Sequence, residues 1–270
     1  LFRQYVLAQN MHTSFANCVM FLEGGNFRME NSIYVGLSRQ SALRRELALV
    51  ANNIANINTT SFKRELGIYS TAPTNIAKSG KLDFVIDHGS SVSFEPGSIK
   101  NTGNDFDIAI NGPGFITIDD GDGIKYSRNG SLSLSADNQL ITRNGDGVVD
   151  DGGAPIVIPM DGRKLQIGVD GTISLDNEII AKIKIVEFES QHLLQKRGDS
   201  KFITTEEPKD PINSSVLQGK LETSNVTAVK ELVRMVDLQR SYESVTKFLD
   251  READRQKTLI QRLARLNSNA

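Results

Sequence analysis

Hydrophobic residues follow a helical period near each end of the chain and a period of two between them. Neither Gly nor Pro occurs over Leu37–Leu66 or over Lys220–Ala270. These two residue types interrupt regular structure more strongly than any others. Together with the spacing of the apolar residues, this predicts helices over about Ser32–Ile57 and Ser224–Leu266.

Both predicted helices carry an apolar seam. The later spacings of the first seam are 4, 3, 4 and 3, as in a heptad repeat. The first seam comprises Ile33, Leu43, Leu47, Val50, Ile54 and Ile57; the second comprises Val226, Val229, Leu232, Val236, Val245, Leu249, Leu259, Leu263 and Leu266. Because isolated helices are marginal in water, we expect the two to pair as an antiparallel, coiled-coil-like terminal domain.

The middle of the chain shows short alternating segments separated by turn residues, at intervals of about ten residues, as in sandwich or barrel-like β domains. The predicted strands are 106–110, 115–118, 124–127, 131–134, 139–142, 156–158, 165–167, 172–175 and 183–186. The predicted fold class is therefore α+β, with long N- and C-terminal helices paired in a coiled-coil-like terminal domain and a central all-β domain.

The same patterns predict a domain order. The predicted segments are an extension at 1–28, the N-terminal helix at 29–66, an extended linker at 67–103, the central β domain at 104–190, a return linker at 191–223 and the C-terminal helix at 224–270. A more regular pattern opens at Met29, so we interpret the extension as disordered or as a mis-called start. One alternative stays open, in which the two helices form the helical layer of an ordinary α+β domain.

Composition excludes several classes of function. The formal net charge is −2, with 31 basic and 33 acidic residues, which disfavours nucleic acid as a partner. No run approaches the roughly 20 apolar residues that span a bilayer. One Cys and three scattered His residues do not form a metal-site pattern, and hydrolase and zinc-protease motifs do not occur. We therefore expect neither a cofactor nor a catalytic or metal site, and we interpret Asp119–Gly123 as a hairpin turn rather than a calcium loop.

Four motifs resemble a known family. Ala51–Lys63, which reads ANNIANINTTSFK, resembles the N-terminal signature of flagellar rod and hook proteins, with Ser61 where Gly is usual. Leu221–Val226 together with Met235–Glu243 resembles the C-terminal pattern of the same family. Asp107–Phe115, ending in GPGF, and Tyr126–Ser131 resemble the start of the β domain of the rod proteins. The opening residues from Met29 and the charged tail are more similar to proximal than to distal rod proteins.

The resemblance implies a structural, non-enzymatic subunit of the proximal rod of the bacterial flagellar basal body. Family members assemble in the periplasm into a hollow, torque-transmitting drive shaft, with both terminal helices in the inner tube. The expected partners are other rod proteins, further copies of this chain and the flagellar type III export apparatus, without nucleic acid or membrane insertion. Export would proceed without a cleavable signal peptide. The alternatives are a distal rod subunit and, outside the family, a secreted adhesin-like module or a calcium-dependent surface enzyme.

We expect the assembly interface to lie on the terminal motifs and seams. The candidate residues are Leu43, Leu47, Val50, Asn52, Asn53, Ile54, Asn56, Phe62, Lys63, Asn225, Val229, Leu232, Val236, Gln239, Arg240 and Tyr242. For several of them a second interpretation stays open. The Asn residues could cap the helix end, since Asn tolerates left-handed backbone. Phe62 could belong to the core, and Gln239, Arg240 and Tyr242 could form a solvated face.

Overall fold

The computed structural model describes residues 27–76, 80–159 and 161–267. Most of the extension expected at 1–28, including Cys18, lies outside these residues. Two helices frame the chain, α1 (Phe27–Ala55) and α2 (Ala228–Asn267). Neither of these described helices is long and apolar enough to cross a membrane.

Seventeen strands lie between the helices in the described part of the chain. They are β1 (Glu65–Ile76), β2 (Gly80–Val92), β3 (Ile99–Asn101), β4 (Ile108–Asn111), β5 (Phe115–Asp119), β6 (Ile124–Ser127), β7 (Leu132–Leu134), β8 (Leu140–Thr142), β9 (Gly147–Val148), β10 (Leu165–Ile167), β11 (Thr172–Leu175), β12 (Glu178–Lys182), β13 (Ile185–Val186), β14 (Gln195–Lys196), β15 (Lys201–Ile203), β16 (Ser215–Gln218) and β17 (Lys220–Glu222). A 3-10 turn, Gln191–Leu193, precedes β14.

The described residues form two compact units. The first comprises the residues up to Ala42, Ser70–Ile86 and the residues from Glu243 onward. The second comprises Leu43–Tyr69 and Asp87–Tyr242 and holds most of the β structure. Each unit is described by itself below.

Both helices form where the sequence predicts them, with shifted ends. α1 ends at Ala55, two residues before the predicted end. α2 begins at Ala228 rather than at Ser224, because the Asn225 side chain bonds elsewhere in the second unit instead of capping a helix. The carbonyl of Thr227 accepts the N–H of Glu231 at 3.1 Å, which marks the first helical hydrogen bond.

The predicted pairing of the helices in a coiled-coil-like terminal domain is wrong. A coiled coil buries the seam residues of both partners. Instead, Val229 is 70%, Leu232 is 50% and Val236 is 43% exposed. The helices meet at separate points that are partly polar. In the second unit Arg234 pairs with Glu46 at 2.6 Å, and in the first unit the Gln40 amide donates to Thr246 Oγ1 at 3.0 Å.

The core of the second unit lies between short strands of several small sheets. The largest sheet has the order β14-β15-β6-β5-β9-β8-β7, with β13 also paired to β5. A three-stranded sheet has the order β10-β11-β12, and two further pairs are β4 with β16 and β3 with β17. Sixteen buried aliphatic residues, Ile108, Ile116 and Ile173 among them, form the main cluster. The alternation that predicts the strands thus also predicts the core.

A second, aromatic cluster lies beside the aliphatic one. Phe115 is fully buried, and its ring centroid lies 5.8 Å from that of Phe188 and 5.9 Å from that of Phe202. Phe94 contacts both Phe115 and Phe202 at 5.6 and 5.2 Å. These edge-on and tilted geometries are favourable for aromatic pairs. The cluster joins the segment after β2 to the large sheet.

The acidic Asp119–Gly123 segment forms the turn between β5 and β6. The carboxylate of Asp119 accepts the N–H of Gly121 at 3.0 Å, and that of Asp120 accepts the N–H of Asp122 at 3.2 Å. Short acidic side chains commonly stabilise turns in this way. Asp120 also pairs with Lys125.

The two segments expected as linkers contain strands. Within 67–103 the chain forms most of β1, all of β2 and β3, and within 191–223 it forms β14–β17. β15 pairs with β6, β16 with β4 and β17 with β3. Through β15 and β16 the returning chain is thus part of the same sheets as the central domain, whereas β17 pairs with β3 of the other expected linker.

Candidate functional site

The end of α1 is attached to the first strand through Asn53, which is 1% exposed. Its amide nitrogen donates to the carbonyl of Glu65 at 2.9 Å, and its amide oxygen accepts the N–H of Glu65 at 3.0 Å. One side chain thereby satisfies both backbone groups of a residue in β1. Asn53 fixes the direction in which the chain leaves the helix.

Ser61 lies in the loop after α1 with a left-handed backbone, at φ 54°. Such a conformation costs a residue with a Cβ about 1 kcal/mol or more, which explains why Gly is usual at this place in the family signature. Here the Ser61 hydroxyl donates to the carbonyl of Arg128 at 2.7 Å, and its N–H donates to the carbonyl of Glu222 at 2.9 Å. The serine offsets backbone strain with a buried hydrogen bond.

A buried carboxylate, Glu222, joins two cations from distant parts of the sequence. Its Oε1 lies 2.7 Å from Lys63 Nζ and its Oε2 lies 3.0 Å from Arg128 Nε. Oε1 also accepts the N–H of Gly97 at 2.8 Å, and Lys63 Nζ donates to the carbonyl of Glu95 at 2.9 Å. The Lys63 and Glu222 side chains are 0% and 2% exposed, so this cluster is shielded from water.

Arg128 extends the cluster to the loop before β5. Its guanidinium donates to the carbonyls of Ile110, Gly112 and Gly114 at 3.2, 2.8 and 3.0 Å. A planar guanidinium has five N–H donors in fixed positions, so Arg128 can serve these three carbonyls and Glu222 together, whereas a lysine ammonium has only three donors. The GPGF loop is thus held in place by the Arg of the Tyr126–Ser131 motif.

The electrostatics of the cluster follow from its burial. Burial lowers the pKa of the Lys63 amine below its ordinary 10.5, against the opposing attraction of Glu222. For Glu222, burial alone raises the carboxyl pKa, but Arg128 and Lys63 outweigh it, so the pKa lies below the ordinary 4.5. Each cation neutralises part of a charge that would be costly to bury alone. The cluster is therefore stable only as a complete set.

Asn225 adds a third connection between the two terminal motifs. Its amide oxygen accepts the N–H of Arg64 at 2.8 Å, and its amide nitrogen donates to the carbonyls of Ser93 and Glu95 at 2.9 and 3.0 Å. The N–H of Asn225 donates to the carbonyl of Phe62 at 3.2 Å. The start of the C-terminal segment is thus hydrogen-bonded to the N-terminal signature.

Phe62 is 3% exposed and carries a cation over its ring. Lys196 Nζ lies 4.0 Å from the ring centroid and 2.6 Å from Glu65 Oε1. Cation–π contacts of this kind are favourable when the cation is partly shielded. Phe62 therefore connects the N-terminal signature to β14.

The structure separates the predicted interface residues by exposure. The buried ones are Leu43, Val50, Asn53, Phe62 and Lys63; the half-buried ones are Leu47, Ile54, Asn56, Asn225 and Tyr242; and the exposed ones are Asn52, Val229, Leu232, Val236, Gln239 and Arg240. Asn53, Phe62, Lys63 and Asn225 are brought together within the second unit. Their contacts described above lie within the chain.

Arg128 and Glu222 have no assigned role in the sequence reasoning, although both belong to motifs that carry the family resemblance. Each is the single charged residue of its segment, Tyr126–Ser131 for Arg128 and Leu221–Val226 for Glu222, and this is the signal that could have identified them. Their pairing remained hidden because 94 residues separate them along the chain.

Comparisons with known proteins place all four motifs in one family. Residues 33–63 match the family model described as "Flagella basal body rod protein", residues 109–175 match "Flagellar hook protein FlgE/F/G D1 domain", and residues 217–262 match "Flagellar basal body rod FlgEFG protein C-terminal". The flagellar basal-body rod protein FlgF of Caulobacter vibrioides is 38% identical over 88% of this chain and 100% of its own length. The chain belongs to the flagellar basal-body rod protein family.

Two other relatives extend this comparison. The FlgF protein of Mesorhizobium japonicum is 30% identical over 83% of this chain and 94% of its own length. The FlgG rod protein of Bacillus subtilis is 29% identical over 82% of this chain and 94% of its own length. A member of this family is a structural component of the flagellar basal body that serves motility and contacts other rod components, and it is not an enzyme.

Proposed function

We propose that this chain is a subunit of the proximal part of the rod and that it assembles, with itself and with other rod proteins, through its terminal helices. The observation that carries the proposal is the exposed apolar face of α2. Val229, Leu232, Val233 and Val236 are 70%, 50%, 58% and 43% exposed. Contiguous apolar surface of this kind marks sites of protein association. The 38% identity to the FlgF protein of Caulobacter vibrioides, compared with 29% to the FlgG protein of Bacillus subtilis, supports the proximal rather than the distal position.

The mechanical role follows from stiffness. A helix of 40 residues spans about 60 Å at 1.5 Å per residue. When its exposed face is covered by neighbouring subunits, side chains interdigitate and resist bending and twisting. We propose that repeated head-to-tail contacts between such helices build a hollow shaft that transmits torque in the periplasm. Delivery of the subunit by the flagellar type III export apparatus is part of the same proposal.

The proposed interface comprises the exposed candidates of α2 together with Asn52 and the half-buried Leu47 and Asn56. The buried candidates support it indirectly, since Asn53, Phe62 and Lys63 fix the end of α1. Gln239 and Arg240 lie on the exposed surface of α2, where a neighbouring chain could accept their hydrogen bonds.

The test is Leu232→Asp, compared with Lys230→Asp on the same exposed turn of α2. A carboxylate buried at an interface without a partner is costly, so Leu232→Asp should abolish incorporation into isolated basal bodies and abolish swimming. Lys230→Asp introduces the same residue at a solvated position and should assemble. If Leu232→Asp assembles as well as the control, the α2 face is not the interface.

A further inference from the structure

Three asparagines are followed directly by glycine, at Asn111, Asn129 and Asn144. Asn is a thermolabile residue type, and the pair with glycine is the most reactive one, because glycine has no Cβ to keep its backbone nitrogen away from the Asn side-chain amide. The reaction closes a five-membered ring, which needs a free side chain and a backbone that is not held extended. The fold therefore decides which of the three pairs can react.

Two of the pairs are restrained by their surroundings. Asn111 lies in β4, whose pairing with β16 holds its backbone extended. The Asn129 amide oxygen accepts the N–H of Ser131 at 3.1 Å, so this side chain is engaged. Its neighbour Gly130 is buried against the carbonyl of Ile108. Each of these asparagines can react only after its segment opens.

The third pair lies exposed in the turn between β8 and β9. None of the hydrogen bonds among the described residues uses the Asn144 side chain. Gly145 has φ 91°, and a Cβ there would meet no atom within 4 Å. The N–H of Gly145 donates to the carbonyl of Thr142 at 3.0 Å, but hydrogen bonds in exposed turns open more readily than those in buried strands. Asn144 also lines a groove of about 1060 Å³, which gives water access to the ring.

We propose that Asn144 is a site of spontaneous deamidation, with water as the co-reactant. The Gly145 nitrogen attacks Asn144 Cγ, so that an N–Cγ bond forms and the Cγ–Nδ2 bond breaks. The proton of the Gly145 nitrogen leaves with Nδ2 as ammonia. Water then opens the succinimide ring, at Cγ to give aspartate or at the main-chain carbonyl carbon to give isoaspartate. Either product adds one negative charge, and the reaction needs no assembled rod.

The modified turn holds a charged residue of the second unit. Thr142 Oγ1 donates to Asp146 Oδ2 at 2.9 Å, and Lys201 Nζ lies 2.7 Å from Asp146 Oδ1. Isoaspartate adds one carbon to the main chain inside the turn that the Gly145 N–H closes on Thr142. The turn then cannot keep its geometry around Asp146, so the isoaspartate product should weaken the connection to β15 through Lys201.

The test is to age the purified full chain in neutral buffer made with water enriched in the heavy isotope of oxygen. Ring opening takes one oxygen atom from water, so each deamidated residue gains this label. Cleavage after lysine releases the peptide Tyr126–Lys164, which contains Asn129 and Asn144, and its fragmentation in the mass spectrometer locates the label. We expect Asn144 to gain label at least about tenfold faster than Asn129 or Asn111, because the latter two react only after local opening.

The same ageing in urea controls for the effect of the sequence. Asn129 and Asn144 both stand in the tripeptide Arg–Asn–Gly, so their rates should become similar once the chain is unfolded. Asn144→Gln should remove the label at this position and leave Asn129 unchanged, since glutamine would have to close a larger ring. Equal labelling of the two asparagines in the folded chain would overturn the proposal, as would a preference for Asn144 that persists in urea.

The effect on the turn has its own measurement. The isoaspartate form, separated after ageing, should unfold at a lower temperature than Asn144→Asp, which carries the same charge on an unchanged backbone. Equal unfolding temperatures would show that the extra carbon does not disturb the contacts of Asp146 and would overturn this part of the proposal.

Discussion

At the residue scale, Glu222 decides whether the two terminal motifs stay together. It accepts hydrogen bonds from Lys63, Arg128 and Gly97 while almost fully buried. Removing one member of a buried set of charges leaves the remaining charges without a counter-charge. The loss of stability is then larger than the net stability that the complete set provides. The cluster therefore specifies which segments meet, rather than adding much stability of its own.

Glu222→Gln should destabilise the second unit by about 3–5 kcal/mol, because it leaves two buried cations without a counter-charge. Urea unfolding followed by circular dichroism measures the change. Glu207→Gln, at an exposed position, is the control and should change stability by less than about 0.5 kcal/mol. Equal stability of the two variants would contradict the described geometry.

The same carboxylate predicts a pH dependence. Its pKa is lowered in the folded chain, so its contribution is fully present above the ordinary value of 4.5 and is lost as the pH falls through the lowered folded value. As the pH falls below 4.5, the free energy of unfolding of the second unit, measured by urea unfolding, should therefore decrease more in the wild-type chain than in Glu222→Gln. The variant carries no titrating group at this position.

Ser61 shows, also at the residue scale, how a buried hydrogen bond can compensate for backbone strain. The sequence shows only that a serine stands where the family usually has glycine, and this departure casts doubt on a tight backbone conformation at that position. The structure retains the left-handed backbone, at φ 54°, and provides a hydrogen bond to the carbonyl of Arg128. The local conformation is preserved because the surrounding residues over-determine it.

At the element scale, strand β4 and the segment around Gly130 come unusually close. The N–H of Ile108 donates to the carbonyl of Gly130 at 2.9 Å. A Cβ built on Gly130 would lie 1.9 Å from the carbonyl oxygen of Ile108, a backbone atom that cannot turn aside. This approach explains the glycine that ends the Tyr126–Gly130 part of the motif.

Gly130→Ala should destabilise the second unit by about 3 kcal/mol, since the strand must move to admit the methyl group. Thermal unfolding measures the loss. Ser133→Ala, at an exposed position in the nearby strand β7, is the matched control and should be close to neutral. A small effect of Gly130→Ala would show that β4 does not lie against this segment.

The helices show what periodicity can and cannot predict at this scale. Apolar spacing predicts both helices correctly because amphipathic patterns reflect local geometry. It does not predict the partner of each seam. Leu43 and Val50 are buried, whereas Val229 and Leu232 are exposed, so the two seams do not close on one another. The pairing prediction failed because two stripes of similar chemistry need not face each other.

At the scale of the whole molecule, the second unit should behave as a stable core. It contains both clusters of buried residues and the Lys63–Glu222–Arg128 set. Buried contacts within this unit hold the segments that come from the two ends of the sequence. In the first unit, by contrast, the C-terminal part of α2 carries exposed apolar residues such as Ile260. Regions with few buried contacts open first.

Limited trypsin digestion should therefore spare the bond after Lys63, whose side chain is 0% exposed, while cutting after exposed residues such as Arg251 and Lys257. Mass spectrometry of the fragments over time gives the order of cleavage. Glu222→Gln should cause early cleavage after Lys63, and Glu207→Gln should not. Early cleavage after Lys63 in the wild-type chain would contradict a buried junction.

The sequence by itself determined the two helices, most of the central strands and the family, because these depend on local periodicity, turn residues and contiguous motifs. Only the tertiary structure decided which residues of the motifs contact one another. It brings Lys63, Arg128 and Glu222 to one buried point, and it pairs the returning strands β15, β16 and β17 with earlier ones. The physical reason is that the buried charged cluster and the pairing of the returning strands both depend on contacts between residues far apart in the chain. Such contacts produce no periodic pattern in the sequence.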